Sequence, residues 1–314
     1  MQYYFAPLEG LTDFVYRKLH NQFYPGIDRY YIPFLSPTVH RALTPRESKE
    51  IPFATFRGFT EIPQLLTKNA SDFIWMAEQC SQRGYQEVNL NLGCPSGTVT
   101  AKKKGAGMLE DLDQLDAFLN TVFHTSTVPI SIKTRLGLHS TDEFPKILEI
   151  FNRYPICQLI VHPRSRDGFY TAPIDMDIFD FAVQNSKNPV CYNGNLCTKA
   201  EITSLATKYK SLSSVMLGRG LIGNPGMLSA NSTSINNLRN FHNELLEGYL
   251  SEFGGARNAM FRLKEHWRYW FCLFQDADKY QKQIRKTTDL QEYRHITSQI
   301  FQTLSLNDEL SPNW

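Results

Sequence analysis

The chain has 314 residues, 42% of them hydrophobic and 20% charged, a balance that suits a soluble globular protein and excludes a disordered one. Its formal net charge is only +2, so a nucleic-acid partner has to be argued from local basic surface. The length allows one large domain and a smaller one. The first ten residues carry neither a basic n-region nor an apolar h-region, and Pro7 interrupts them, so they do not read as a secretion signal. No apolar run reaches the roughly 18–20 residues needed to span a bilayer. The six cysteines (80, 94, 157, 191, 197 and 272) form no CxxC pair and no Cys/His cluster at zinc spacing. Reduced thiols in a cytoplasmic, metal-free, monomeric protein are the expectation.

Short apolar or β-branched runs alternate with amphipathic stretches. Expected strands fall at 3–6, 29–32, 62–66, 87–91, 129–133, 158–162, 189–192 and 214–217, with helices such as 72–83 and 112–124 between them. That alternation predicts a parallel sheet, and eight units in roughly 220 residues match a (β/α)8 TIM barrel. The Ser/Thr/Asn-rich stretch 231–237 reads as a linker. Beyond it, 238–253, 256–274, 277–286 and 290–304 carry apolar residues at helical spacing. The expected organisation is a barrel over 1–235 and an all-helical domain over 236–314.

The segment Asn89-Leu90-Asn91-Leu92-Gly93-Cys94-Pro95-Ser96 lies where the fourth strand ends, which in such a barrel is the catalytic face. Gly93 permits a tight turn, and Pro95 restricts the backbone at Cys94. An ordinary thiol keeps its proton at neutral pH, so Cys94 is a candidate general acid. A lone cysteine more often just packs, but Asn91, Gly93 and Pro95 at a strand end reverse that preference. Lys102, Lys103 and Lys104, ahead of Gly105-Ala106-Gly107, make a basic loop suited to a lid or to RNA.

Lys133 ends the fifth strand and His162 the sixth. A cation and an imidazole there suit the electron-rich edge of a reduced flavin; alone, each equally suits a polar rim with Lys133 paired to a carboxylate. Gln64, ending the third strand, is as ambiguous. The turns Asn193-Gly194-Asn195 and Gly218-Arg219-Gly220 follow the last two strands, where this barrel commonly holds a phosphate. Glycines let backbone N–H groups approach an anion, and Arg219 adds a charged fork. Together they point to a phosphate-bearing cofactor.

Taken in order, these motifs resemble those of the tRNA-dihydrouridine synthases. Ala6-Pro7-Leu8-Glu9-Gly10-Leu11-Thr12-Asp13 is similar to the family's opening segment, and Asn89 to Pro95 with Gly105-Ala106 to its cysteine loop. Ile132-Lys133-Thr134-Arg135-Leu136-Gly137 resembles its lysine strand, and Val161-His162-Pro163-Arg164 its histidine strand. Asn193-Gly194 and Met216-Leu217-Gly218-Arg219-Gly220, with Gly223-Asn224-Pro225, resemble its phosphate turns. Leu8 stands where the family often has Met, Pro163 where it often has Gly, and Asn195 where it has an acid. Only Pro163 removes a backbone donor near the site.

The resemblance implies an FMN-dependent oxidoreductase that reduces the C5–C6 bond of specific uridines in tRNA, with NADPH or NADH as reductant. It implies that Pro7, Leu8 and Glu9 line one side of the isoalloxazine. Gln64, Lys133 and His162 would meet its polar edge, and Asn193, Gly194, Asn195, Gly218 and Arg219 its phosphate. Cys94 would give a proton to C5 of the uracil while C6 accepts hydride, and Asn91 would hold the ring. Arg135, Arg164 and Tyr170 are further contacts to a flipped nucleotide. Lys102, Lys103, Lys104, Arg257, Arg262, Lys264 and Arg268 are expected against tRNA phosphates, with Arg257, Lys264 and Arg268 on one helix face. Without the resemblance those last residues read as a solvated face, because 236–314 holds ten Lys/Arg and ten Asp/Glu. The competing readings are an FMN-dependent reductase of a free small molecule, dihydroorotate- or enoate-type, and an RNA-binding module without catalysis.

Overall fold

The structure, a computed structural model, describes residues 1–38, 40–54, 58–307 and 312. Eight parallel strands close into one barrel in sequence order: β1 (Gln2–Phe5), β2 (Arg29–Leu35), β3 (Glu61–Leu65), β4 (Val88–Leu92), β5 (Ile130–Gly137), β6 (Leu159–Ser165), β7 (Val190–Tyr192) and β8 (Ser214–Leu217). Between them run α1 (Phe14–Phe23), α2 (Pro45–Glu50), α3 (Ala70–Gln82), α4 (Gly97–Thr100), α5 (Leu112–Thr125), α6 (Phe144–Phe151), α7 (Met176–Asn185) and α8 (Lys199–Lys208). After β8 come α9 (Arg219–Gly223), α10 (Ile235–Glu252), α11 (Ala256–Trp270), α12 (Asp278–Lys286) and α13 (Leu290–Thr303). The expected TIM barrel and C-terminal helices are both present.

Local chemistry explains the helix boundaries. Asn69 accepts from the backbone N–H groups of Ser71 and Asp72 to start α3, and Phe73, Met76, Ala77 and Cys80 then bury one stripe. Asp111 caps α5 and Ser234 caps α10 in the same way. The cap at Ser234 places 235–237 inside a helix, so the linker is shorter than its composition predicts.

Three strands outrun their sequence signal, β2 by three residues past Ile32 and two others beside the site. β5 continues four residues past Lys133, and β6 three past His162, because Arg135↔His162 and Gly137↔Ser165 keep pairing. The register shifts between Arg135 and Gly137, which accommodates Pro163 inside β6; the Pro163 carbonyl accepts from Asp175 N–H at 2.9 Å. Arg135 and Arg164 therefore sit on strands, where a period of two fixes which way they face.

Contacts within the chain define two compact units: one of Met1–Pro7, Asp28–Gly194 and Lys208–Met216, the other of Leu8–Ile27, Asn195–Thr207 and Leu217–Trp314. In the first, Tyr4, Ala6, Tyr31, Ile62, Ile160, Cys191 and Met216 form a buried cluster inside the barrel. The second is built around aromatic side chains. Phe241 of α10 meets Tyr16, Phe23 and Tyr24 at centroid distances of 5.3–5.7 Å. A Cβ on Gly248 would come within 2.7 Å of Val15, so α10 and α1 approach closely there. Tyr293 accepts from Trp267 Nε1 at 2.9 Å and meets His242 Nε2 at 2.8 Å. Burial holds that imidazole near a pKa of about 4, so it is neutral and can accept the tyrosine proton.

All six cysteines are free thiols. Among the described residues, no helix is long and apolar enough to cross a membrane, and no His/Cys/Asp/Glu group could hold a metal ion.

Candidate active site

Strand register gathers the polar residues at one end of the barrel. Gln64 pairs with Asn89, Asn89 with Ser131, Asn91 with Lys133, and Arg135 with His162. Because strand residues two apart share a face, Asn89 and Asn91, Ser131, Lys133 and Arg135, and His162 and Arg164 all turn the same way.

One chain of hydrogen bonds orders three of these amides. Asn91 Oδ1 accepts from the backbone N–H groups of Cys94 at 2.9 Å and Gly93 at 3.1 Å. Its Nδ2 donates to Gln64 Oε1 at 2.7 Å, Gln64 Nε2 to Asn89 Oδ1 at 2.8 Å, and Asn89 Nδ2 to Ser131 Oγ at 2.9 Å. A backbone N–H can only donate, so Asn91 must present oxygen to the turn and nitrogen to Gln64. The same logic fixes Gln64 and then Asn89. Only Ser131, whose hydroxyl can donate or accept, is free to adapt.

The cysteine turn is held on several sides. Arg135 Nε donates to the Gly93 carbonyl at 3.0 Å, opposite the grip of Asn91 on Gly93 N–H. The chain returns behind Cys94 at Gly105, with φ +58° and a would-be Cβ 3.0 Å from Cys94 Cβ; only glycine suits that place. Ala106 N–H donates to the Cys94 carbonyl at 3.3 Å. Lys102 and Lys103 are exposed in the preceding turn, Lys104 is half-buried, and Gly105 to Leu109 are buried. The basic tip is thus anchored at its glycine end, unlike a loose lid.

Lys133 is half-buried and, among the described residues, meets no carboxylate and no hydrogen-bond acceptor. Burial and then the Arg135 guanidinium push its pKa down to about 8. The rim reading, with Lys133 paired to a carboxylate, therefore fails. His162 Nε2 lies 3.0 Å from Arg164 Nη1. A guanidinium only donates, so Nε2 carries the lone pair and Nδ1 the proton.

Arg135 and Arg164, expected against substrate, are both buried and bound to the backbone. Arg135 Nη1 donates to the carbonyls of Ser165 and Phe169, at 2.8 and 2.7 Å, and Arg164 Nε to that of Ala172 at 2.5 Å. They brace the loop after β6, a role that follows from the extra strand length. Tyr170 stacks under Arg135 at 5.2 Å and lies 6.0 Å from His162.

The remaining expected residues lie in the other turns. Pro7 and Leu8 are half-buried after β1, and Glu9 is exposed. Asn193 Nδ2 donates to the Met216 carbonyl at 2.8 Å, and a Cβ on Gly194 would collide with the Tyr192 ring. After β8 come Gly218 and Arg219, whose Nη2 donates to Asn195 Oδ1 at 3.0 Å, so the neutral amide serves where an acid was expected. On α11, Arg257 and Arg268 are exposed, Arg268 paired with Glu265 at 2.8 Å. Lys264 reaches the Thr287 carbonyl at the end of α12. Arg262 departs from the expected basic surface: it pairs with Asp13 at 2.7 Å and lies 3.8 Å over Phe253. A groove of about 640 Å³ is lined by Phe261, Lys264, Arg268, Lys282 and Arg285.

Sequence reasoning missed Asn89 and Ser131, although each lies two residues before a recognised one on the same strand face. It also missed Arg166, which ties the loop after β6 to Thr100 of α4 at 3.0 Å.

A family model described as dihydrouridine synthase (Dus) matches residues 4–310. The chain is 24% identical over 223 residues to tRNA-dihydrouridine synthase B of Pasteurella multocida (strain Pm70), covering 71% of this chain and 66% of that protein. It is 25% identical over 235 residues to a probable tRNA-dihydrouridine synthase of Staphylococcus aureus (strain COL), covering 70% and 68%. The match to the first of these thus stops just short of two thirds of its length. Among solved structures, a variant of NCR from Zymomonas mobilis superposes with a TM-score of 0.50 at 13% identity, over 71% of this chain and 83% of that one. Morphinone reductase gives 0.50 at 12%, over 72% and 84%. At such identity these two speak for the fold alone.

The amide chain has a measurable signature. Asn91→Asp keeps an oxygen that accepts both N–H groups of the cysteine turn but forces Gln64 and Asn89 to reverse, which Ser131 absorbs by turning its hydroxyl round. Ser131→Ala alone leaves Asn89 Nδ2 without its acceptor, and combined with Asn91→Asp it leaves Asn89 Oδ1 without a donor instead. Either way one buried group is orphaned, so Ser131→Ala should cost about 1–2 kcal/mol in urea unfolding in both backgrounds. No loss in either background would show that the chain of amides does not end on Ser131.

Proposed function

Because this chain belongs to the dihydrouridine synthase family, we propose that it reduces the C5–C6 bond of uridines in tRNA, using FMN and a reduced nicotinamide cofactor. The observation that carries this reading is one barrel mouth with a free thiol on a braced turn after β4 and an unpaired ammonium on neighbouring β5. The donor set suits FMN. Lys133 lacks an anion, and the N1–C2 edge of an isoalloxazine offers partial negative charge. Gln64 and Asn91 each have a second amide N–H beyond those in the chain.

Lys133, Gln64 and His162 would hold the ring, beside Pro7, Leu8 and Glu9, and the turns at Asn193-Gly194-Asn195 and Gly218-Arg219 the phosphate. When bound and reduced by NADPH or NADH, FMN supplies the hydride that uracil C6 accepts. The chain's own work is positioning and proton transfer. Cys94 gives its thiol proton to C5 and regains one from solvent, and Asn91 both orders the cysteine turn and offers an N–H to a uracil carbonyl. His162, neutral with its proton on Nδ1, donates without adding charge. Extruding the base from the RNA stack costs a few kcal/mol, which contacts elsewhere must offset. Lys102, Lys103 and Lys104 beside the cysteine turn would contribute, as would the groove at Lys264 and Arg268 with Arg257 nearby.

The direct test is dihydrouridine formation in a tRNA transcript with purified protein and NADPH, read by mass spectrometry. Cys94→Ala should retain FMN and still oxidise NADPH with oxygen while forming dihydrouridine at least 100-fold more slowly. Undiminished formation would remove Cys94 from the chemistry. Separately, Arg268→Glu with Lys282→Glu should weaken tRNA binding and lower the slope of log Kd against log salt by about 1 per lost phosphate contact. An unchanged Kd at low salt would return α11 and α12 to a solvated face.

A further inference from the structure

The loop between β6 and α7 carries two adjacent aromatic side chains into solvent, Phe169 at 42% exposure and Tyr170 at 45%. Phe169 does so at φ +45°, a left-handed backbone that a bulky side chain adopts only when its surroundings impose it. Here they do. Arg135 grips the Phe169 and Ser165 carbonyls from β5, and Arg164 grips that of Ala172 from β6. Phe169 N–H donates to the Arg166 carbonyl at 3.0 Å, and a Cβ on Gly168 would lie 2.8 Å from Ala172 Cβ, so the turn is also closely packed. The Arg166 guanidinium lies 5.3 Å from the centre of the Phe169 ring. Two buried guanidinia and a strained backbone thus hold an apolar ring in water, which the hydrophobic effect opposes.

We propose that Phe169 is a stacking wedge for RNA: it packs against the base next to the target uridine and fills the place that the uridine leaves on extrusion, while Tyr170 forms the wall of the receiving pocket. The proposal rests on the reading that the substrate is tRNA. Three observations choose this occupant. The loop is continuous with the site, since Arg135 also binds the Gly93 carbonyl beside Cys94 and Tyr170 adjoins His162. Arg166 brings positive charge beside the ring, which complements a phosphate backbone. The exposed apolar area is one ring and its neighbour, the size of a base and far below a protein docking patch. Aromatic rings stack on bases whatever their identity, and apolar wedges commonly fill steps opened in a nucleic-acid stack.

The test uses the flavin-loaded protein and two RNAs: an intact tRNA transcript, and the same tRNA with an abasic nucleotide beside the reduced uridine, placed on each side in turn. Phe169→Gly suits the left-handed backbone and removes only the ring, whereas Phe169→Leu keeps apolar bulk without a π face. Phe169→Gly should lower kcat/KM on intact tRNA by roughly 10- to 100-fold with an unchanged melting temperature and FMN content, and Phe169→Leu by less. On one of the two abasic tRNAs the wild type should fall towards the variant, and Phe169→Gly should cost little more. Wild-type kcat/KM in Phe169→Gly, or an equal loss on all three RNAs, would overturn the wedge. A wild type that binds FMN yet reduces uridine in no tRNA would instead overturn the functional reading, and the wedge with it.

Discussion

The backbone N–H groups of Gly93 and Cys94 have no choice but to donate, and that constraint propagates through the barrel mouth. It turns the oxygen of Asn91 toward the cysteine and the nitrogen toward Gln64, then orients Gln64 and Asn89 in the same sense as far as Ser131. A buried polar chain is costly unless every member is satisfied; satisfied, it fixes a single arrangement. The thiol of Cys94 is therefore placed by residues on three strands as well as by its own loop.

A second constraint is electrostatic. Lys133, Arg135 and Arg164 occupy one end of the barrel, and the two arginines donate to carbonyls of the loop after β6. Guanidinium groups suit that task because their rigid fork can hold two carbonyls at once. The lysine is left as a compact cation without an anion, its pKa drawn down to about 8 by burial and by Arg135. Such a cost fits the proposed site, where a bound anionic edge would relieve it. The arginines brace the loop, and the lysine keeps its charge available.

Much of this was legible in the sequence, and the parts that were not share a cause. All eight strands stand close to short apolar or β-branched runs of the sequence, and the C-terminal helices follow their apolar spacing. Cys94, Asn91, Lys133 and His162 stand out in the sequence because they lie at or just past the ends of the expected strands. What lay hidden was how far β5 and β6 continue: Thr134-Arg135-Leu136 and Pro163-Arg164 look like loop chemistry, and only pairing between the two strands extends them. Arg135 and Arg164 accordingly lie on those strands with their guanidinia on backbone carbonyls, a placement that their sequence neighbours do not reveal. In the same way, nothing in α11 alone reveals Asp13 as the partner of Arg262.

If a thiol on a braced turn and a reduced flavin act together on a uracil presented by RNA, the anaerobically reduced protein should distinguish tRNA lacking dihydrouridine from free uridine. Followed by the return of oxidised-flavin absorbance, reoxidation should be rapid with tRNA and almost absent with free uridine. Reoxidation by free uridine or another small acceptor, with tRNA inert, would contradict that joint action and favour a small-molecule reductase.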